Sequence, residues 1–111
     1  MKTGEVWIVN FTPSVGDEIS KTRPAVIVDI DNIAGLSLRV VVPFTDANKL
    51  ARAWHVRIMP NNLNNLTKES FADVFQLKST STQRFIRKIG LLSDRDIEEI
   101  KIGIAKVLDL T

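Results

Sequence analysis

The spacing of β-branched residues and turn residues restricts the fold of this 111-residue chain more than any other feature of its sequence. Short apolar segments rich in valine and isoleucine alternate with stretches that contain proline, glycine, serine or asparagine, a pattern typical of short strands joined by turns. The predicted strands span residues 5–11, 24–30, 36–44, 54–58, 70–77 and 86–92, with turns or loops at 12–18, 31–35, 46–51 and 60–68 and a helical turn at 81–85. In the fourth strand, apolar residues alternate with His55 and Arg57, which predicts a core face that includes Trp54 and a solvent face.

The residues after Ser93 have the spacing of an amphipathic helix. Ser93 can cap this helix, and Asp94 and Asp96 occupy its first turn, where the helix dipole favours acidic side chains. The apolar stripe consists of Ile97, Ile100, Ile104, Val107 and Leu108. Several short strands followed by one helix predict a mainly β protein, a small and strongly curved β-barrel with α-helical additions. We expect residues 1–111 to form a single domain that buries modest area and dimerises through an apolar patch.

Composition excludes several kinds of chemistry. The absence of cysteine rules out disulfides, zinc–thiolate sites and thiol nucleophiles. His55 is the only histidine, so a mechanism with two catalytic histidines is impossible, and the Gly-x-Ser-x-Gly motif of a serine triad is absent. Asp29 and Asp31 lack the further ligands of a calcium loop, so we expect neither a metal site nor a cofactor. His55 is interpreted as a surface or ligand-contacting residue.

Hydropathy and charge indicate where the protein works and what it can bind. The first residues do not resemble a signal peptide, and no apolar run approaches the roughly 20 residues of a membrane-spanning helix, so we expect a cytoplasmic protein without membrane contacts. The formal net charge is only +2, but basic residues concentrate between positions 49 and 88 and acidic residues follow at 94–99. This distribution favours one cationic face, whereas scattered solvated charges are the alternative.

Arg23 and Thr45 are candidate site residues because both lie at predicted strand ends. Pro24 fixes its own φ and pushes Arg23 toward an extended conformation before a β-branched strand, a stiff support for a group that binds phosphate. Thr45 follows Pro43 at the end of the third strand. If the second and third strands pair with the start of one beside the end of the other, the guanidinium and the hydroxyl converge at one edge. An ordinary surface arginine and a loop-capping threonine are the alternative interpretations.

The excluded chemistries leave reactions in which the substrate supplies its own nucleophile. RNA is such a substrate, because its 2′-hydroxyl lies next to the scissile phosphate. A protein then needs to accept the hydroxyl proton, hold the phosphoryl oxygens and protonate the leaving oxygen. An arginine can stabilise the dianionic transition state through charge-assisted hydrogen bonds, and a nearby hydroxyl can position a phosphate oxygen.

Seven short segments carry a more specific signal. They are GEVWIV at 4–9, PSVGDE at 13–18, KTRPAVIV at 21–28, VPFT at 42–45, QLKS at 76–79, QRF at 83–85 and IGLLS at 89–93. In this order and at this spacing they resemble the MazF/PemK family of toxin endoribonucleases over nearly the whole chain. The Arg-Pro strand and the Val-Pro-x-Thr strand form a fairly specific pair, whereas either motif alone is weak.

The resemblance implies an SH3-like barrel of the CcdB/MazF type with a C-terminal helix, and a homodimer. It implies metal-independent cleavage of single-stranded RNA at short sequences, leaving a cyclic phosphate and a 5′-hydroxyl, and inhibition by a small cognate antitoxin. Arg23 matches the family's arginine for phosphate stabilisation and proton transfer, and Thr45 matches its active-site threonine. The residues expected to contact RNA are Ser20, Lys21, Lys49, Arg52 and Lys78.

The chain also departs from the family pattern. Asp17 replaces a histidine of the plasmid branch, and Asp73 and Phe75 replace its Arg-x-Asp pair, so a mechanism with that aspartate as base does not carry over. Ser81 replaces the aspartate of a Thr-Ile-Asp segment. The sequence therefore leaves the proton acceptor open. The alternative function is a non-catalytic binding module, either a topoisomerase binder like the CcdB toxins or an inactive relative that binds RNA or an antitoxin.

Overall fold

The computed structural model describes residues 1–31, 35–48 and 50–110, so parts of the turn predicted at 31–35 and of the loop predicted at 46–51 lie outside the described residues. The described part of the chain contains seven strands and one α-helix. They are β1 (Glu5–Asn10), β2 (Thr22–Ile27), β3 (Leu38–Asp46), β4 (His55–Ile58), β5 (Ser70–Asp73), β6 (Lys78–Ser81), β7 (Phe85–Leu91) and α1 (Asp94–Val107). Single turns of 3₁₀ helix lie at Val74–Gln76 and Thr82–Arg84. This mainly β architecture with a C-terminal helix confirms the predicted fold class.

The long strand β3 connects the two parts of the sheet. The strand order is β4-β5-β3-β2-β1-β7, with β6 paired to β3 off this path, and all these pairs are antiparallel. Val41 of β3 pairs with Ile27 of β2 and with Lys78 of β6, whereas Phe44 pairs with Ala72 of β5. The end of β3 therefore lies between the start of β2 and the strand β5, and this arrangement builds the site described below.

Both faces of the central strands are buried, because successive side chains of a strand point to opposite sides. One core cluster contains Val26 and Val42, and α1 covers it through Ile100. The other contains the neighbouring residues Ile27 and Val41. No helix of the described chain is long and apolar enough to cross a membrane.

The C-terminal helix begins as the sequence predicts. The Ser93 hydroxyl accepts a hydrogen bond from the backbone N–H of Asp96 at 3.1 Å, which caps the first turn. Ile100 is buried, and Ile97, Ile104 and Val107 pack against the same core cluster. The assignment of Leu108 to the apolar stripe is wrong, since the helix ends at Val107 and Leu108 is exposed.

The region from 54 to 81 differs most from the prediction. The strand expected at 70–77 ends at Asp73, where the chain turns into the 3₁₀ helix Val74–Gln76, and the unpredicted strand β6 follows. Trp54 precedes β4 and is exposed, and the His55 side chain is only 8% exposed, so the predicted core and solvent faces are wrong at these two positions. The 3₁₀ turn at Thr82–Arg84 confirms the predicted helical turn.

Glu5 is a buried acid whose charge stabilises the fold. Trp7 Nε1 donates to Glu5 Oε1 at 2.9 Å, and Lys88 Nζ lies 3.2 Å from Oε2. Burial raises the pKa of Glu5, but hydrogen bonds from Trp7 and from the Lys2 backbone, together with Lys88, outweigh it and hold the pKa below its ordinary value of 4.5.

We therefore expect Glu5→Gln to lower the free energy of unfolding at neutral pH, and we expect a smaller decrease in acid. The pKa of Glu5 is lower in the folded than in the unfolded protein. The stabilisation is therefore complete at pH values above the unfolded-state pKa and is lost as the pH falls through the folded-state pKa. Urea unfolding of both proteins between about pH 7 and pH 3 measures this. Glu98→Gln is the control, because Glu98 is an exposed residue of α1. An equal loss of stability from Glu5→Gln at every pH would contradict the stabilising role of the Glu5 charge.

Candidate active site

The pairing of β2 with β3 brings Arg23 and Thr45 together. Ala25 pairs with Pro43, and the same register continued by two residues places Arg23 opposite Thr45. Both residues line one cavity of about 440 Å³, here called the Arg23–Thr45 cleft. The convergence expected from the sequence is therefore present in the structure, although Thr45 lies within β3 rather than after it.

Arg23 is held so that its terminal nitrogens remain available. The side chain is half-buried, and its Nε donates to the Ser20 carbonyl oxygen at 3.1 Å. Within the described residues, neither Nη atom has a hydrogen-bond or ion-pair partner. A guanidinium fixed through Nε presents its two remaining amino groups as a fork, which matches two oxygens of a phosphate.

The loop before β2 forms one wall of the cleft, and Gln76 fixes that loop. The Gln76 Oε1 accepts from the Ile19 backbone N–H at 2.6 Å, and its Nε2 donates to the Asp17 carbonyl oxygen at 3.1 Å. These two bonds connect the loop to the 3₁₀ helix after β5. Ser20, which supports Arg23, is thereby held in place by a side chain distant in sequence.

His55 and Asp73 lie on the opposite wall, where the β4–β5 register pairs them directly. The His55 Nε2 is 3.7 Å from Asp73 Oδ2, and both side chains are at most 10% exposed. His55 Nδ1 accepts the backbone N–H of Arg52 at 3.1 Å. The imidazole stacks on the Phe71 ring, with centroids 4.9 Å apart and planes at 14°. His55 is therefore a fixed cleft residue. Of the expected surface or ligand-contacting role, the surface part is wrong and the ligand-contacting part stays a prediction.

Only some of the residues predicted to contact RNA line the Arg23–Thr45 cleft. Ser20 and Arg52 line the cleft. Lys21 is exposed with a positive φ of 69° and does not line it. Lys78 lines a neighbouring hollow, where its Nζ is 4.0 Å from Glu18 Oε2. Lys49 lies outside the described residues.

Much of the basic charge between positions 49 and 88 is paired with acids. Lys68 Nζ lies 2.8 Å from Asp46 Oδ2, Arg57 pairs with Glu69, and Lys88 pairs with Glu5. Arg23 and Arg52 have no such acidic partner among the described residues. The cleft lining therefore combines these two arginines with the carboxylates of Asp17, Glu18 and Asp73.

The fold matches solved structures of MazF toxins. The Mycobacterium tuberculosis toxin MazF-mt6 is 19% identical, with a TM-score of 0.76 over 96% of this chain and 98% of its own. MazF from Deinococcus radiodurans in crystal form I is 19% identical, with a TM-score of 0.82 over 98% and 96% of the two chains. The antiparallel sheet with one C-terminal helix is therefore the architecture of these solved structures.

Sequence comparison identifies the family. The model of the PemK-like, MazF-like toxins of type II toxin–antitoxin systems matches residues 2–108. A curated relative, the endoribonuclease MazF9 of Mycobacterium tuberculosis, is 28% identical over 99% of this chain and 98% of its own. The endoribonuclease MazF of Staphylococcus saprophyticus is 28% identical over 94% and 88%. The chain belongs to the PemK/MazF toxin family.

Proposed function

We propose that the protein is a cytoplasmic endoribonuclease toxin that cleaves single-stranded RNA at short recognition sequences without a metal ion. The observation that carries this proposal is the meeting of Arg23 and Thr45 in one cleft of a PemK/MazF family member. Both curated relatives described above are named endoribonucleases, which supports the same reaction class.

The cleft residues suit a reaction in which RNA provides the nucleophile. The 2′-oxygen attacks the neighbouring phosphorus while the bond to the 5′-oxygen breaks, giving a cyclic phosphate and a 5′-hydroxyl. The Arg23 fork stabilises the charge that develops on the phosphoryl oxygens and assists protonation of the leaving oxygen. The Thr45 hydroxyl orients the phosphate, and Ser20 and Arg52 contact the RNA next to the scissile linkage.

An antitoxin and a second copy of the chain are the proposed protein partners. One solved relative is described as an endoribonuclease in complex with its cognate antitoxin from a mycobacterial species, and another is the MazE–MazF complex of Deinococcus radiodurans. We propose that a cognate antitoxin neutralises this toxin and that the toxin is a homodimer.

Incubation of the purified protein with a long RNA in EDTA tests the activity. We expect cuts at a repeated short sequence, each leaving a 2′,3′-cyclic phosphate and a 5′-hydroxyl, mapped by end-specific ligation before and after treatment with polynucleotide kinase. Arg23→Ala is the control for contaminating nucleases. Intact RNA with retained RNA or antitoxin binding would instead identify a non-catalytic binding module and refute the proposed activity.

A further inference from the structure

Asp73 lines the Arg23–Thr45 cleft and has a buried carboxylate oxygen without a hydrogen-bond donor among the described residues. The residue is 7% exposed, and its Oδ1 has no hydrogen-bond partner among the described residues. Buried polar atoms are nearly always paired, and an unpaired one is costly unless it has a role. Within the described residues, Asp73 therefore brings a carboxylate with one unpaired oxygen to the cleft where the proposed function requires a proton acceptor.

His55 can orient this carboxylate but cannot replace it as the base. Because Nδ1 accepts the Arg52 N–H, the ring proton of neutral His55 lies on Nε2, the nitrogen that faces Asp73. Nδ1 cannot accept a further proton without breaking the bond to Arg52. His55 therefore directs an N–H group toward Asp73, with Nε2 3.7 Å from Oδ2, a separation slightly longer than a hydrogen bond.

The strand register places Asp73 near the phosphate-binding groups. Thr45 pairs with Phe71 on β5, and Asp73 follows two residues later on the same side of that strand. Diagonal neighbours across a strand pair are about 7–8 Å apart, a separation that one nucleotide linkage can bridge. The terminal torsion of aspartate is soft and roughly two-fold, so either carboxylate oxygen can turn toward the cleft.

The other carboxylates that line the cleft are less suited to this role. Asp17 and Glu18 lie on its exposed rim. Glu18 Oε1 accepts the Val15 backbone N–H at 2.8 Å, and its Oε2 faces Lys78. Asp73 is buried beside His55 and has a fixed position, whereas Asp17 and Glu18 lie in open solvent. A general base must be held within reach of the proton it accepts, which favours Asp73.

We infer that Asp73 is the catalytic proton acceptor and that His55 is its positioning residue. The inference rests on the proposed ribonuclease function. The 2′-O–H bond breaks and its proton passes to an Asp73 oxygen, the 2′-oxygen bonds to phosphorus, and the bond from phosphorus to the 5′-oxygen breaks. Arg23 provides the proton to the 5′-oxygen. Asp73 then releases its proton to water, and Arg23 regains one, so the cleavage leaves no net proton on the protein.

The first test is the rate of RNA cleavage by Asp73→Asn as a function of pH. We expect a loss of about a hundredfold at neutral pH, the size typical of removing a general base. We also expect the wild-type rate to rise with pH in the acid range and this rise to disappear in the variant. The other charged groups that line the cleft around Asp73 and His55 are Asp17, Glu18, Arg23 and Arg52. Glu99 and Lys106 of α1 line the adjoining hollow on the other side of His55. All these groups are still present in Asp73→Asn, so a pH dependence that stays unchanged in the variant would overturn the inference.

Binding and stability measurements separate a chemical from a structural role. We expect Asp73→Asn to bind a non-cleavable 2′-O-methyl RNA as tightly as the wild type and to unfold at the same or higher denaturant concentration, since an unpaired buried charge is removed. Formate added to Asp73→Ala should restore cleavage at least tenfold. Glu69→Gln, which removes a carboxylate beside β5 but outside the cleft, is the matched control and should cleave normally.

Two variants of His55 test whether it positions Asp73. His55→Ala should slow cleavage about tenfold, whereas His55→Gln keeps an N–H donor near the Nε2 position and should retain most of the rate. Equal losses of cleavage rate in both variants would remove the positioning role.

If the wild type cuts RNA but Asp73→Asn cuts equally well, this inference fails and the proposed function stands. If the wild type cuts no RNA, the proposed function itself fails.

Discussion

Arg23→Ala should reduce RNA cleavage by about a thousandfold or more while the protein still folds. The guanidinium is fixed through Nε on the Ser20 carbonyl, and Arg23 lines the cleft together with Thr45. Removing one preorganised donor to a developing oxyanion typically costs about 10²–10³ in rate, and Arg23 combines two donors with a full charge. The side chain is only half-buried, so its loss should change the free energy of unfolding little.

Single-turnover cleavage of a short RNA that contains one mapped site measures this effect. Arg23→Lys keeps the charge but loses the planar fork, and we expect it to remain at least tenfold below the wild type. Arg57→Ala is the control, because Arg57 is an exposed arginine that pairs with Glu69 outside the cleft. Turnover of Arg23→Ala within about threefold of the wild type would remove Arg23 from the mechanism.

The sequence predicted this part of the site because local signals define both strand ends. Pro24 and Pro43 mark the start of β2 and the end of β3, and antiparallel pairing of consecutive strands is the commonest connection in such a chain. The observed pairing of Ala25 with Pro43 is the register that makes Arg23 and Thr45 neighbours. Two local motifs and one pairing rule were therefore sufficient to predict that Arg23 and Thr45 lie close together.

His55 and Asp73 could not be predicted in the same way, because their meeting depends on a non-local register. Alternation along the fourth strand placed His55 on the solvent face. The structure instead covers that face, since the imidazole stacks on Phe71 of β5 and packs in a T-shaped arrangement with Trp54, with ring centroids 5.9 Å apart. A period of two tells which residues share a face but not whether another element covers it.

The predicted length of the fifth strand is wrong for a related reason. Residues 70–77 are mostly apolar, yet the chain leaves the sheet after Asp73, and the following 3₁₀ turn carries Gln76 to the loop before β2. Tertiary hydrogen bonds from the Gln76 amide outweigh the strand preference of its neighbours. The same turn leaves Phe75 exposed and keeps Asp73 at the cleft.

Asn64→Ala should destabilise the protein more than most substitutions outside the cleft, by about 3 kcal/mol. Asn64 is fully buried, its Oδ1 accepts the backbone N–H groups of Asn61 at 3.1 Å and Leu66 at 3.0 Å, and its Nδ2 donates to the Met59 carbonyl oxygen at 2.9 Å. Alanine would leave the buried Leu66 N–H unpaired and would remove the part-buried bonds to Asn61 and Met59. An unpaired buried group costs about 1–3 kcal/mol unless water reaches it. In a domain of this size the loss corresponds to a decrease in Tm of roughly 10–15 °C.

The loop that Asn64 organises also fits closely against β7, which adds to the expected loss. A Cβ atom on Gly90 would lie 2.4 Å from the Asn64 carbonyl oxygen, so no side chain fits between the loop and the strand. Asn62→Ala is the matched control, since Asn62 is an exposed asparagine of the same loop. Thermal and urea unfolding of the two variants should differ by about 3 kcal/mol. Equal stabilities would mean that the loop reorganises without its buried amide and that these hydrogen bonds do not define its conformation.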